Sequence, residues 1–225
     1  MINNGAKQKR IAIFDLDGTL VDSDKWMSRE LIETFNGLGV SITDEEANID
    51  GKRDKYALAS RYGFNKNELD ESYRKNVKGI YTLDKALHSG QVTLYPETLE
   101  ALDELKENGV VLGLLPRATR EDDVFQKVKR LGLEKYFGNR ISVVSNGHTK
   151  YQGALDLLGK VQSQDEKVYC VGDRAEDVVI AGRLKRDNRI NAEGVYVHRL
   201  NSPDENLAGY NMVKTLDEIP ELVLG

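Results

Sequence analysis

Short apolar runs alternate with helical patterns along most of this chain. Runs rich in β-branched or aromatic residues predict buried strands at 10–14, 110–115, 141–144, 167–171 and 194–197. Apolar residues at helical spacing predict helices at 96–108, 121–131, 151–158 and 177–184. Alternation of strands and helices favours right-handed crossovers, so we expect an α/β fold with a parallel sheet covered on both faces.

The stretch 22–90 follows a different pattern. Apolar residues recur there at helical spacing, and no strand is convincing. A chain of 225 residues is long enough for a core domain with a smaller insertion. We therefore expect an α/β core formed by 1–21 and 91–225, interrupted by an all-helical insert at 22–90.

Composition and charge exclude little but disfavour some classes of protein. The net charge of −5 does not indicate the basic surface that favours nucleic-acid binding, so a nucleic-acid partner is disfavoured. Cys170 is the single cysteine, so no intramolecular disulfide can form, and we expect a buried thiol in a protein of the reducing cytoplasm. No apolar run has the length of a membrane span, and we expect no membrane partner.

Two aspartates stand where the first predicted strand ends. Asp15 directly follows the apolar run, Asp17 comes two residues later, and Gly18 follows. A carboxylate can attack a phosphate monoester as a covalent nucleophile, and a second one can protonate the leaving oxygen and then activate water. Like-charge repulsion between a carboxylate and a phosphate calls for a hard cation such as Mg²⁺. The alternative is an ordinary Asp-Gly turn after a strand.

The run Asp15, Leu16, Asp17, Gly18, Thr19 resembles the first motif of the haloacid dehalogenase-like (HAD) superfamily, most of whose members are magnesium-dependent phosphatases. The resemblance implies a Rossmann-like core, with Asp15 as nucleophile and Asp17 as general acid and base. It also places Gly18 and Thr19 beside the phosphate. A hydrolytic dehalogenase is disfavoured, because those relatives replace the second aspartate.

The loop after the strand at 167–171 resembles the fourth motif of the same superfamily. Asp173 stands at the strand end and Asp177 four residues later. The resemblance implies a magnesium site formed by Asp15, the Asp17 carbonyl and Asp173, with Asp177 orienting a metal-bound water or its neighbours. Taken alone, Asp173 could be a turn or helix N-cap, and Asp177 an acid that complements the helix dipole.

Lys150, just before the helix predicted at 151–158, resembles the lysine of the third motif, which pairs the nucleophile and the phosphate. An exposed surface lysine is the alternative. The second motif departs from the family pattern, because Pro116 stands where relatives place Ser or Thr. Loss of one charge-assisted hydrogen bond costs about 1.5–3 kcal/mol. Arg117 or Thr119 could compensate by binding the phosphate, or Arg117 could be a solvated loop residue.

The insert has the size and position of the cap in the HAD subclass of phosphoglycolate phosphatase-like and β-phosphoglucomutase-like proteins. By resemblance, such a cap selects the substrate, and Asp50, Gly51, Lys52 and Arg53 resemble its specificity loop. A plain helix start with exposed charges is the alternative for these residues. We expect a phosphatase of a small phosphorylated metabolite. A phosphomutase, or a weakly active binding protein that lacks the hydroxyl at Pro116, remains the alternative.

Overall fold

The structure is a computed structural model of the 225-residue chain. It describes residues 9–47, 52–80, 82–118, 120–145, 147–161, 166–199, 207 and 209–225, with the side chains of 52 and 53 outside that description. Every statement below concerns these residues.

Seven strands and ten helices are defined in the described part of the chain. The strands are β1 (Arg10–Phe14), β2 (Val21–Asp22), β3 (Thr93–Leu94), β4 (Val111–Leu114), β5 (Lys167–Gly172), β6 (Asn191–Val197) and β7 (Asn211–Val213). The helices are α1 (Asp24–Asn36), α2 (Lys52–Arg61), α3 (Lys66–Asn76), α4 (Leu83–His88), α5 (Thr98–Glu107), α6 (Glu121–Arg130), α7 (Glu134–Phe137), α8 (Lys150–Val161), α9 (Ala175–Asn188) and α10 (Glu218–Leu224).

Five of the strands form one sheet in the order β4-β1-β5-β6-β7, and all of its pairings are parallel. The central strands β1 and β5 are apolar almost throughout and are buried, as expected for strands covered on both faces. The strands β2 and β3 form a separate two-stranded sheet. The predicted α/β fold with a Rossmann-like parallel sheet is confirmed.

The chain divides into two compact units, one formed by Met1–Val21 with Leu94–Gly225 and the other by Asp22–Thr93. The first unit contains the five-stranded sheet and an apolar core that includes Ile11, Leu157 and Val168. The second unit contains α1 to α4 and an apolar core of its own, which includes Phe35 and Leu58. The second unit is therefore helical, with a core of its own.

Several boundaries differ from the predicted ones. Helix α9 begins before 177 and ends beyond 184, and β6 begins at Asn191, ahead of the predicted 194. The strand β7 and the helices α7 and α10 were not predicted, because each is too short to show a clear apolar period. Cys170 is buried in β5, as predicted.

The predicted strand at 141–144 is wrong as a continuous element. Ile141 and Val144 instead form two isolated parallel bridges with Leu114 and Arg117. The Leu114 carbonyl accepts from the Ser142 N–H at 2.9 Å, and the Pro116 carbonyl accepts from the Val144 N–H at 2.8 Å. Between these bonds, a regular ladder would need an N–H at 116, which proline lacks. One missing donor therefore splits the ladder into two bridges.

Two glycines of α8 offer a matched test of core packing. An added Cβ at Gly153 would lie 2.7 Å from Leu115 Cδ1 and 3.0 Å from Val144 Cγ2, whereas at Gly159 it would meet nothing within 4 Å. We expect Gly159→Ala to raise the free energy of unfolding by about 0.5–1 kcal/mol through helix propensity. The free energy of unfolding of Gly153→Ala should be at least about 1 kcal/mol lower than that of Gly159→Ala, because overpacking opposes the gain in helix propensity. Urea denaturation measures both, and equal gains would contradict the tight contact.

Candidate active site

The pairing of β1 with β5 brings two acidic residues to one edge of the sheet. Phe14 pairs with Val171 in register, and the Asp15 N–H donates to the Val171 carbonyl at 2.9 Å. Asp15 follows the end of β1 and Asp173 follows the end of β5. Since both strands run in the same direction, their carboxyl ends and the two aspartates lie together.

Three carboxylates converge at this edge. Asp15, Asp173 and Asp177 each offer a carboxylate oxygen, and these oxygens all lie within 4.8 Å of one another. Asp15 and Asp177 are buried, and Asp173 is half-buried. An all-oxygen donor set with a concentrated negative charge suits a hard divalent cation. The residues present therefore fit a metal ion, as the sequence implied for Asp15, Asp173 and Asp177.

Lys150 contacts two carboxylates of this cluster, and Asp15 is one of them, as the sequence predicts. Its Nζ donates to Asp15 Oδ1 at 2.6 Å and to Asp177 Oδ1. Burial acts to lower the pKa of Lys150, but the charges of Asp15 and Asp177 outweigh it and raise that pKa above its ordinary value. Lys150 therefore remains an ammonium group although only 3% of its side chain is exposed.

Asp177 lies in the first turn of α9 on the other side of Lys150. Its Oδ2 accepts from the Arg174 N–H at 3.0 Å. Burial and the nearby charge of Asp15 raise the pKa of Asp177 above its ordinary value, against the opposing effect of Lys150. A Cβ at Gly172 would overlap the Asp177 side chain, so glycine at this position allows the approach. Lys150 thus offsets only part of the cost of burying this acid beside Asp15.

Gly18 and Thr19 both face Asp173. Gly18 has a φ of +84°, and a Cβ added to it would lie 2.7 Å from Asp173 Cγ, so only glycine satisfies both constraints. The Thr19 hydroxyl donates to Asp173 Oδ1 at 3.3 Å, and Thr19 is fully buried. The turn after Asp17 therefore orients a carboxylate of the cluster. Contact of Gly18 and Thr19 with a phosphate stays a prediction.

The loop after β4 brings no hydroxyl among its described residues, which are Leu115, Pro116, Arg117, Ala118 and Arg120, and Thr119 lies outside the description. Arg117 donates from Nε and Nη2 to the two carboxylate oxygens of Glu176, at 3.0 and 2.7 Å. This hydrogen bond is the main cause of the raised pKa of Arg117. Arg117 is thus paired within the protein, and its predicted contact with a phosphate is untested.

The carboxylate of Asp17 has a partner that the sequence reasoning missed. Lys127, on α6, donates from Nζ to Asp17 Oδ1 at 2.5 Å and to Oδ2 at 2.7 Å. Lys127 is buried beside Val124 and Val128 on the same helix face. A lysine at a position where the helical period requires an apolar residue was the available signal.

The predicted specificity loop at 50–53 is described only in part. Asp50 and Gly51 lie outside the described residues, and the structure describes only the backbone of Lys52 and Arg53, at the start of α2. Their predicted part in substrate selection stays a prediction.

Among the described residues, no helix has the length and apolar character of a membrane span.

Comparison with known proteins gives a consistent picture. Residues 12–186 match the family model described as haloacid dehalogenase-like hydrolase. The chain is 27% identical over 183 residues to a phosphoglycolate phosphatase of Agrobacterium fabrum, covering 76% of this chain and 75% of that protein. It is 31% identical over 180 residues to a glyceraldehyde 3-phosphate phosphatase of Methanocaldococcus jannaschii, covering 73% of this chain and 76% of that protein.

A solved structure supports the same fold. A haloacid dehalogenase-like family hydrolase from Streptococcus pneumoniae superposes with a TM-score of 0.72 at 21% sequence identity. The superposition covers 96% of this chain and 98% of that one. Likeness at this identity establishes the fold, which agrees with the parallel sheet described above.

The buried position of Lys150 generates a stability prediction. We expect Lys150→Met to lower the free energy of unfolding by about 3–5 kcal/mol, because Asp15 and Asp177 would stay buried without their counter-charge. Urea denaturation without added metal measures the change. The control is Lys185→Met on the exposed side of α9, where a change within about 0.5 kcal/mol is expected. Equal effects of the two variants would contradict the described charge pairing.

Proposed function

Since the chain belongs to the haloacid dehalogenase-like hydrolase family, we propose that it is a magnesium-dependent phosphatase that hydrolyses a small phosphorylated metabolite through an aspartyl-phosphate. The observation that carries this proposal is the convergence of Asp15, Asp173, Asp177 and Lys150 at the carboxyl ends of β1 and β5. Such an arrangement suits nucleophilic attack by a carboxylate on a phosphate held by cations.

Asp15 is the proposed nucleophile. Its carboxylate oxygen forms a bond to phosphorus while the bond from phosphorus to the ester oxygen breaks, which leaves an aspartyl-phosphate and an alcohol. Lys150 already donates to Asp15 Oδ1, so its ammonium lies where it offsets the charge of nucleophile and phosphate together. Water then attacks the phosphorus, which releases inorganic phosphate and restores Asp15.

Asp17 is the proposed general acid and base. In the first step its carboxyl group gives a proton to the leaving oxygen, and in the second step the resulting carboxylate takes a proton from the attacking water. Each turnover therefore returns Asp17 to its starting state. Asp17 is half-buried, more exposed than Asp15, so it is suited to meet a substrate oxygen and a water molecule.

Asp15, Asp173 and the Asp17 carbonyl would hold Mg²⁺, with Asp177 beside them. The support is the all-oxygen donor set and the charge balance, since four aspartates meet only two lysines, Lys127 and Lys150. When bound, the ion supplies charge neutralisation for the approach of the phosphate. The residues of the chain supply the nucleophile, the proton transfers and the fixed cations.

The helical unit Asp22–Thr93 is inserted between the two parts of the α/β unit in the sequence. We propose that it acts as a cap that selects the substrate, with Lys52 and Arg53 contributing to the choice. The relatives named for phosphoglycolate and glyceraldehyde 3-phosphate support a small phosphorylated metabolite. One competing function is a phosphomutase, which would use the same core, and the other is a weakly active binding protein, favoured by the absent hydroxyl at Pro116.

We expect the wild-type protein to release phosphate from at least one member of a panel of small esters that includes 2-phosphoglycolate and glyceraldehyde 3-phosphate. Release should require Mg²⁺. Asp15→Asn should lower the rate by at least about 10³-fold, since the amide is a poor nucleophile and the covalent route is lost. Phosphate release assays measure the rates, and acid quenching with mass spectrometry tests for phosphate on the Asp15 peptide.

The matched control is Asp156→Asn, at an exposed position of α8, which should keep the wild-type rate. Phosphate release from Asp15→Asn at the wild-type rate would contradict the nucleophile. Conversion of a sugar 1-phosphate to its 6-phosphate isomer without free phosphate would favour the mutase. No hydrolysis of any ester above the Asp15→Asn background would favour the binding protein.

Metal binding predicts a stability change that is independent of turnover. At a free Mg²⁺ concentration of about 100 times Kd, one bound ion stabilises the fold by about 2.7 kcal/mol. For a chain of this size the melting temperature should rise by roughly 5–10 °C, at about 2–4 °C for each kcal/mol. Thermal denaturation with and without Mg²⁺ measures the shift.

Asp173→Asn should lose most of this shift, because it removes one carboxylate of the cluster. Asp156→Asn, which leaves the cluster intact, should keep the shift. A rise in melting temperature that is the same in wild type and Asp173→Asn would place the bound ion elsewhere on the protein.

A further inference from the structure

Lys127 is a buried lysine on a helix face that should otherwise be apolar. It is 5% exposed, and its neighbours on the buried face of α6 are Val124 and Val128. Lysine is almost never buried to this extent unless its charge is paired. In the part of the chain that the structure describes, the buried charged residues are Asp15, Lys127, Lys150, Glu166 and Asp177. All of these except Glu166 belong to the acidic cluster or contact an aspartate of the first motif.

The partner of Lys127 is Asp17, and the ammonium group contacts both carboxylate oxygens. Nζ lies 2.5 Å from Oδ1 and 2.7 Å from Oδ2, across a sequence separation of 110 residues. A donor bound to both oxygens fixes the rotation of the carboxylate plane as well as its position. Each oxygen of an ionised carboxylate has about two acceptor sites. One site on each oxygen therefore remains, where Asp17 carries the proton that it gives to the leaving oxygen or accepts the proton of a water molecule.

Fold stability alone is a poor explanation for this pair. Replacing a buried ion pair by apolar side chains of similar volume is often neutral or stabilising, because burying the charges is costly. The Asp17 side chain is 26% exposed, so water could solvate it in the absence of the lysine. An apolar residue at 127 would continue the face formed by Val124 and Val128. The lysine is therefore better explained by what it does to Asp17.

We propose that Lys127 is a positioning residue that acts through Asp17, which it holds in the orientation needed for both proton transfers. This inference depends on the proposed phosphatase function. Lys127 keeps its own protons throughout, and Asp17 gives one proton to the leaving oxygen and takes one from water. Without this contact to both oxygens, the Asp17 carboxylate rotates. The two proton transfers then start from an Asp17 side chain that is not aligned with its partners. Misplacement of a catalytic group by about 1 Å can cost 10²-fold in rate.

The test compares three variants of α6. Lys127→Met keeps the length of the side chain and removes the charge, and Lys127→Arg keeps a donor that can pair with both oxygens. Lys129→Met, at an exposed position of the same helix, is the matched control. Unfolding free energies come from urea denaturation, and kinetics are measured with Mg²⁺ on an alkyl phosphate and on p-nitrophenyl phosphate. The p-nitrophenolate group leaves without a proton, whereas an alkyl leaving group needs a proton from a general acid.

For Lys127→Met we expect an unfolding free energy equal to or above that of the wild type. With the alkyl phosphate, kcat/KM should fall by about 10- to 100-fold, because protonation of the leaving oxygen is impaired. With p-nitrophenyl phosphate, kcat/KM should change by less than about threefold while kcat falls by about 10-fold or more, because only the attack of water then needs Asp17. Lys127→Arg should recover most of the loss, and Lys129→Met should match the wild type.

Four outcomes would overturn the role of Lys127. One is a Lys127→Met variant that keeps kcat within about twofold of the wild type on both esters. Another is marked destabilisation or misfolding of that variant, or equal losses of kcat/KM on the two esters, since these indicate a structural role. The last is a further loss of about 10-fold when Lys127→Met is added to Asp17→Asn, because a residue that acts through Asp17 has little left to change there.

Failure of the proposed function gives a different result. If the wild-type protein hydrolyses neither ester above its Asp15→Asn variant, the phosphatase proposal is overturned and the role of Lys127 with it. If the wild type is active and Lys127→Met is unaffected, only the role of Lys127 is overturned.

Discussion

Electrostatic repulsion among acidic side chains at one edge of the sheet is the constraint around which the α/β unit is organised. Parallel pairing of β1 with β5 forces Asp15 and Asp173 together, and the first turn of α9 adds Asp177. Lys150 offsets part of this charge from within the cluster. Burial and the charge of Asp15 raise the pKa of Asp177 in spite of Lys150. An all-oxygen cluster of this kind suits a hard cation.

Much of this site follows from local sequence patterns. An apolar run that ends in an aspartate predicts both a buried strand and an acid at its carboxyl end, and this held for Asp15 after β1 and for Asp173 after β5. Lys150 was predicted from its resemblance to the lysine of the third motif, at the start of a predicted helix. In each case, one short segment carries both the structural and the chemical signal.

Other features depend on partners that are distant in the sequence. Lys127 lies 110 residues from Asp17, so no local pattern links the two side chains, although a lysine on the apolar face of α6 is unusual in itself. The strand β7 has three residues and α10 has seven, too few for a periodic pattern to stand out. The ladder beside β4 is interrupted by the chemistry of one residue, Pro116, which an apolar run does not reveal.

Pro116 changes two things at once. It removes the hydroxyl that the family pattern places after this strand, and it removes an N–H from the pairing with the segment at 141–144. The neighbouring Arg117 is held by Glu176 of α9, so the loop is tied to the helix that carries Asp177. The fixed cations beside Asp15 and Asp17 come instead from α8 and α6. The positive charge beside these aspartates is thus supplied by helices and not by this loop.

The long separations within the site bear on how the protein is made. Asp15 is synthesised 135 residues before Lys150, and Asp17 is synthesised 110 residues before Lys127. The strand β1 lies between β4 and β5 in the sheet, so it gains its second neighbour only when β5 has left the ribosome. A nascent chain therefore carries its acids without their counter-ions until most of the polypeptide is complete. The candidate site therefore forms late, when α8 and β5 join strands that are already synthesised, and β6 and β7 complete the sheet afterwards.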